Sequence, residues 1–307
     1  MDQLATIWLG RKGRPIYTAT MCSGIDVPAF TLKNIQSMLN HKFVSPDRYD
    51  VPTQFIVLFA CEIDQNKRIV LAQNHFPLLL FHDAVEVASS QTALEGVGAA
   101  EHGVSRPIPR YFRLLWVSFS CKDVSSENSK RSSRGHITNM YGTSGVTFEA
   151  CMTTMENYDE AAILVSENVL GLLKNIGQVK DDDEEGSYNE DDIMGLTMSA
   201  KQSPNVQKIE ARAAMAGLAV LWLVTNAKHF RQPQNRPRVY LVLANARRLN
   251  LQIKDCADRL VACKEPPQRC TCNGGDLRYC INMGHIPWGS AVLARLVYGK
   301  PEPQVGR

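Results

Sequence analysis

The chain has 307 residues, 44% hydrophobic and 21% charged, with a formal net charge of +3, which suits a globular protein with one large core or two modest ones. That charge is too small to demonstrate a nucleic-acid partner and does not oppose one. The first residues lack the apolar core of a secretory leader, the longest apolar run (Ala219 to Val224) is far short of a membrane span, and nine scattered cysteines do not make a secreted disulfide framework. An intracellular protein with reduced thiols and no membrane association is expected, nuclear in a eukaryote and cytoplasmic in a prokaryote.

Pro15 to Met21 is rich in β-formers and runs into Cys22-Ser23-Gly24-Ile25-Asp26; helical spacing resumes at Val27, and Pro28 suits a first helical turn. A strand, a glycine turn and a helix N-terminus let backbone N–H groups approach an anionic or polar ligand, although a plain connecting turn needs the glycine too. Phe55 to Ala60 is a continuous apolar run, as in a strand buried on both faces, and ends in Cys61-Glu62-Ile63-Asp64. Nucleotide folds hold ribose hydroxyls with an acid at the tip of the second strand. Glu62 is the candidate for that role, and Asp64 is expected to cap a helix reaching His75. A third short strand, Leu78 to Phe81, delivers His82-Asp83. Asp83 can accept a hydrogen bond from an adenine amine or be a solvated loop carboxylate. Ala88 to Pro109, with Gly96, Gly98, Gly103 and Pro107, reads as an irregular connection.

A fourth strand, Leu114 to Val117, turns abruptly polar at Ser118-Phe119-Ser120-Cys121-Lys122. A cysteine at a strand tip with a lysine beside it has the exposure and positive neighbour a nucleophile needs, while the plainer reading is a semi-buried thiol. Ser125 to Gly145 is rich in Ser, Asn, Gly and basic residues and is expected to be a mobile loop; Lys130, Arg131 and Arg134 suit phosphate oxygens or simple solvation. A helix from Gly145 to Tyr158 follows, then a fifth strand, Ala162 to Ser166, ending in Glu167-Asn168-Val169. The acidic run within 178–192 is a solvated loop, and Val206 to Leu218 has helical spacing. Val220 to Val224 and Val239 to Leu243 are two more strands, with Gln234-Asn235-Arg236-Pro237-Arg238 between them. Arginines at alternate positions entering a strand share one face. The tail holds Cys256, Cys263, Cys270, Cys272, Cys280 and His285 at spacings that match no standard zinc finger, so no metal site is assigned.

In this order the motifs resemble those of the cytosine-5 methyltransferases. The glycine turn Cys22 to Asp26, the acid Glu62, Asp83, Ser120-Cys121 with Val124-Ser125, the intact Glu167-Asn168-Val169 and the intact Gln234-x-Arg236-x-Arg238 followed by Val239-Tyr240 carry the resemblance over about the first 245 residues. It implies a Rossmann-like α/β fold, a mostly parallel seven-stranded sheet with the last strand inserted antiparallel and helices on both faces. It also implies S-adenosylmethionine as cofactor, held by Cys22, Ser23, Gly24, Ile25, Glu62, Ile63 and Asp83, and DNA as the partner, with RNA as the alternative. Cys121 would be the nucleophile, Glu167 the proton donor to the ring, Asn168 the support of Glu167, Arg238 the contact to the cytosine carbonyl and Arg236 the support of the loop. Ser125, Lys130, Arg131, Arg134 and Gln234 would meet nucleic acid. Three departures stand out: Asp26 and Val27 replace glycines of the first motif, Ser120 replaces a proline, and Gly289-Ser290-Ala291-Val292 lacks the asparagine of the closing motif. Residues 1–245 are thus expected to be the catalytic domain and 246–307 a reduced recognition region; an inactive nucleic-acid-binding relative is the alternative from another class.

Overall fold

The computed structural model describes residues 13–24, 26–43, 54–75, 77–96, 103–125, 137, 142–173, 203–226, 237–245 and 247–249. Among them run strands β1 (Ile16–Met21), β2 (Phe55–Cys61), β3 (Leu79–Phe81), β4 (Thr92–Glu95), β5 (Val104–Pro107), β6 (Leu114–Val117), β7 (Ile163–Asn168), β8 (Leu218–Asn226) and β9 (Pro237–Asn245). The helices are α1 (Val27–Phe43), α2 (Gln65–Asn74), α3 (Ala84–Ser89), α4 (Thr143–Asn157) and α5 (Pro204–Met215), with a 3₁₀ turn at Leu170–Leu173.

The strands form one sheet in the order β5-β4-β3-β2-β1-β6-β7-β9-β8. The pairings β3–β2–β1–β6–β7 are parallel, and β9 lies antiparallel between β7 and β8. This is the Rossmann-like arrangement that the resemblance implies, with its last strand reversed between its neighbours. The sheet has nine strands rather than the expected seven, because the stretch read as irregular folds into β4 and β5, antiparallel to each other at the β3 edge. Their pattern was hard to read: β5 is exposed at every position, and in β4 only Ala93 is buried.

Alternation along the strands explains the helices on both faces. Met21, Leu115, Val117, Leu164, Leu241 and Leu243 face a core shared with Val87 of α3, Phe148 and Met152 of α4, and Ile209 of α5. Ile16, Leu114, Ile163, Val165 and Val242 face the opposite core, covered by Leu32, Ile35 and Leu39 of α1. The last three are spaced as a helix stripe requires. Aromatic contacts tie the larger core across elements: Phe59 meets Phe81 and Phe112 edge-on, and Phe112 lies tilted against Tyr158. Tyr158 buries its hydroxyl as a donor to the Val87 carbonyl at 2.9 Å, and burial pushes its pKa up to about 12.

The basic loop expected from Ser125 to Gly145 is shortened, since α4 begins at Thr143. Ile137, within that stretch, is fully buried, and its N–H donates to Asn205 of α5 at 3.0 Å. Ile25, Lys130, Arg131, Arg134, Gln234, Arg236, the acidic run and the cysteine-rich tail lie outside the described residues. Among the described residues no helix is long and apolar enough to cross a membrane.

Candidate active site

Register gathers the site. Phe81, Cys61, Met21, Val117 and Ser166 pair across five parallel strands as one row. The chain leaves that row at His82-Asp83, Glu62, Cys22, Ser118 and Glu167, so every described candidate from these strands lies at one end of the sheet. Open α/β sheets take their ligands at the carboxyl ends of the strands.

At the tip of β1 the backbone is left-handed three times, at Cys22 (φ 51°), Gly24 (φ 59°) and Asp26 (φ 55°). Glycine takes this conformation without penalty, and aspartate is among the side chains that tolerate it best. Asp26 is fully buried and uses its carboxylate inside the turn. Oδ1 accepts the Ala29 N–H at 3.2 Å, capping α1, and Oδ2 accepts the Thr20 hydroxyl at 3.2 Å. An aspartate therefore serves where the resemblance expects glycine. Ser23 turns inward as well: its hydroxyl donates to the Cys61 carbonyl at 3.1 Å and accepts the Cys61 N–H at 3.2 Å, tying β1 to β2. Its side chain fastens the strand tips together. Among the described residues beyond its chain neighbours, no atom lies within 4 Å of where a Gly24 Cβ would stand.

Glu62 is buried, and its carboxylate spans the two tips. Oε2 accepts the Gly24 N–H at 2.7 Å and Oε1 the Asp64 N–H at 3.0 Å. Arg68, itself buried on α2, donates through Nη1 to the carbonyls of Glu62 at 2.9 Å and Ile63 at 2.7 Å, which fixes the backbone around the acid. Ile63 stands 75% exposed beside it, an uncovered apolar side chain at a strand tip. Asp64 caps α2 as its position implied, accepting from Asn66 and Lys67. Asp83 is not simply a solvated carboxylate: it is the N-cap of α3, with Oδ1 accepting the Val85 N–H at 2.9 Å. Burial, then the charges of Glu62 and Asp83, push the Cys22 thiol up to about 12. Burial also raises Cys61 and Cys151 well above the usual thiol range.

On the other side of β1, the loop carrying Cys121 is held at four points. Asn168 Nδ2 donates to the Phe119 carbonyl at 3.1 Å. Thr147 Oγ1 accepts the Ser120 N–H at 3.0 Å. Asp123 and Ser144 exchange two bonds, the Asp123 carboxylate accepting the Ser144 N–H at 2.7 Å and the Ser144 hydroxyl accepting the Asp123 N–H at 3.1 Å. The Phe119 ring stands edge-on to Phe148 at 5.6 Å. Cys121 closes a turn, its carbonyl accepting from Val124 and Ser125, and its thiol is free and half-buried. Asn168 thus grips the cysteine loop rather than Glu167. Glu167 is held by Arg238 instead, Nε to Oε1 at 2.8 Å, with both side chains partly exposed. The antiparallel return of β9 makes this possible: Asn168 pairs with Val239, so Arg238, the second residue of β9, comes just where β7 ends. Thr147, Asp123 and Ser144 escape a reading of the sequence, because a helix start 20 or so residues past the cysteine carries no local sign of where it packs.

The sequence matches two fungal proteins called DNA (cytosine-5-)-methyltransferase DMT5. The chain is 26% identical to that of Cryptococcus neoformans over 158 residues and 27% identical to that of Verticillium dahliae over 242 residues. The chain is similar to the DNA cytosine-5 methyltransferases. The matches span 52% and 73% of this chain but only 6% and 10% of those relatives, so the similarity is to a small part of much longer proteins. No family model matches. Among solved structures, the chain aligns with the Dnmt2 methyltransferase of S. pombe over 84% of its length and 57% of that chain (TM-score 0.43, 13% identity). It also aligns with the methyltransferase EhMeth of Entamoeba histolytica over 75% of its length and 53% of that chain (TM-score 0.41, 11% identity).

Proposed function

We propose that this chain transfers a methyl group from S-adenosylmethionine to carbon 5 of a cytosine flipped out of DNA, through a covalent adduct with Cys121. The observation that supports it most is the meeting, at one end of the sheet, of the pinned Cys121 loop and the Glu167–Arg238 pair. Cytosine carries its ring nitrogen 3 and its carbonyl oxygen on adjacent atoms. A carboxyl and a guanidinium already in contact match that edge, one to supply a proton and the other to bind the oxygen.

The residues around β1 and β2 fit the cofactor. Gly24 leaves open space where a side chain would intrude, Glu62 is fixed beside it with lone pairs for ribose hydroxyls, and Ile63 offers apolar cover for an adenine ring. Asp83 has a second carboxylate oxygen besides the one that caps α3. When bound, S-adenosylmethionine supplies an electrophilic methyl group. The protein's task is to make carbon 5 nucleophilic. Cys121 adds as thiolate to carbon 6 while Glu167 protonates nitrogen 3, which leaves carbon 5 enamine-like. After methylation a solvent base takes the carbon 5 proton, the Cys121–carbon 6 bond breaks with its electron pair returning to sulfur, and nitrogen 3 gives its proton back to Glu167, restoring the ring and the thiolate. Asn168, bonded to the Phe119 carbonyl, keeps the thiol's loop in line with the β7 tip. A duplex hides the reacting atoms, so the base must leave the stack.

The test is transfer of labelled methyl from S-adenosylmethionine to duplex DNA and, separately, to tRNA. Labelled duplex is expected. Wild-type protein should also be trapped covalently on duplex containing 5-fluorocytosine, where fluorine replaces the proton whose loss frees the enzyme. Cys121→Ser should abolish both and Glu167→Gln should slow both. Label on tRNA alone would assign RNA as substrate, and label on neither would reject the transferase reading.

A further inference from the structure

We infer that Thr147 is a positioning residue for Cys121, supplying through a hydrogen bond the restraint that a proline would supply at position 120. The inference rests on the role proposed for Cys121. A proline before the cysteine would fix its own φ and carry no N–H. Ser120 removes that restraint and adds a donor in a half-buried loop, next to the residue whose sulfur must be placed to within a fraction of an ångström. Thr147 answers both changes. Its hydroxyl donates to the Thr143 carbonyl one turn back in α4 at 2.8 Å, which commits its proton and aims a lone pair outward. That lone pair accepts the Ser120 N–H at 3.0 Å. A β-branched side chain has few rotamers in a helix, so the acceptor is stiff. The neighbouring bonds share the load without replacing it: Asn168 holds the carbonyl of Phe119, Asp123 and Ser144 hold the chain beyond Lys122, and the Ser120 hydroxyl accepts the Lys122 N–H at 3.3 Å. Among the described residues, only Thr147 takes the N–H of the residue that directly precedes the nucleophile.

Three variants of the full chain test this: Thr147→Val, which keeps the shape and loses the acceptor, Thr147→Ser, which keeps the acceptor, and Thr147→Val combined with Ser120→Pro, which removes the donor as well. Two rates are read: trapping on 5-fluorocytosine duplex, and alkylation of Cys121 in the free protein by iodoacetamide, followed by peptide mass spectrometry. Thr147→Val should trap about 10- to 100-fold more slowly at unchanged duplex affinity, as expected for a displaced reacting atom. Its Cys121 should be alkylated several-fold faster as the loop opens. Thr147→Ser should retain both wild-type rates, and Ser120→Pro should recover part of the trapping rate lost in Thr147→Val. Wild-type rates in Thr147→Val, or no recovery in the double variant, would overturn the inference. If wild-type protein traps no duplex at all, the proposed reaction fails, and the alkylation rates alone decide the role of Thr147: faster in Thr147→Val supports it, unchanged overturns it.

Discussion

Glu62 accepts two backbone N–H groups from different segments and is buried while doing so. Such an acid is spatially fixed before any ligand arrives, which lowers the ordering cost of binding one. Hydrogen bonds from neutral donors to a carboxylate contribute about 1.5–3 kcal/mol each. Glu62→Ala should therefore weaken S-adenosylmethionine binding roughly 10- to 100-fold, measured by calorimetry. The fold should survive, because Ser23 continues to join β1 to β2 through its two bonds to Cys61. Unchanged affinity would remove Glu62 from the cofactor site. Sequence placed this acid at a strand tip from the apolar run before it, but it gave no sign that Gly24 and Asp64 would both donate to it. The same holds for Asn168, whose partner Phe119 lies 49 residues away and follows from the β6–β7 register.

At the scale of elements, the β1 turn and α1 form one unit built around a buried charge. Asp26 caps α1 in a left-handed conformation, and burial raises its pKa despite the opposing bonds from Ala29 and Thr20. The folded state thus holds this proton more tightly than the unfolded chain. The stability linked to Asp26 is complete below the unfolded carboxylate pKa and is lost as pH rises through the folded value. An asparagine in its place would keep an acceptor for the cap without titrating. Asp26→Asn should therefore gain in Tm relative to wild type as pH goes from about 4 to about 7. A difference constant across that window would mean the carboxylate is not a titrating burden on the fold. The strands around this unit were legible because buried parallel strands are short unbroken apolar runs, as in Phe55–Cys61 and Leu114–Val117. β4 and β5 were not, because an exposed edge hairpin with glycines and prolines beside it has the composition of a loop.

Across the molecule, the sheet order draws candidates from six strands to one edge of the fold, and α4 joins the two halves of the chain there. Its first turns hold the Cys121 loop through Ser144 and Thr147, while its far end receives Arg212 of α5, which pairs with Glu149 and Glu156, and Arg248, which donates to the carbonyls of Met155, Glu156 and Ala161. Between Cys121 and α4 the sequence carries a basic stretch with Lys130, Arg131 and Arg134. If these side chains neutralise phosphates when the duplex is engaged, each contact releases condensed counterions, and the logarithm of the binding constant falls with the logarithm of salt by about 0.9 per contact. Replacing all three by glutamine should weaken duplex binding at low salt and reduce the slope by roughly 2.7 if each makes one contact. The readout is fluorescence anisotropy of a labelled duplex titrated at several salt concentrations. Cofactor affinity should not change, since Gly24, Glu62 and Asp83 lie just past the ends of β1, β2 and β3, whereas the basic stretch lies beyond the cysteine loop that follows β6. A slope equal to that of wild type would mean that these cations touch no phosphate.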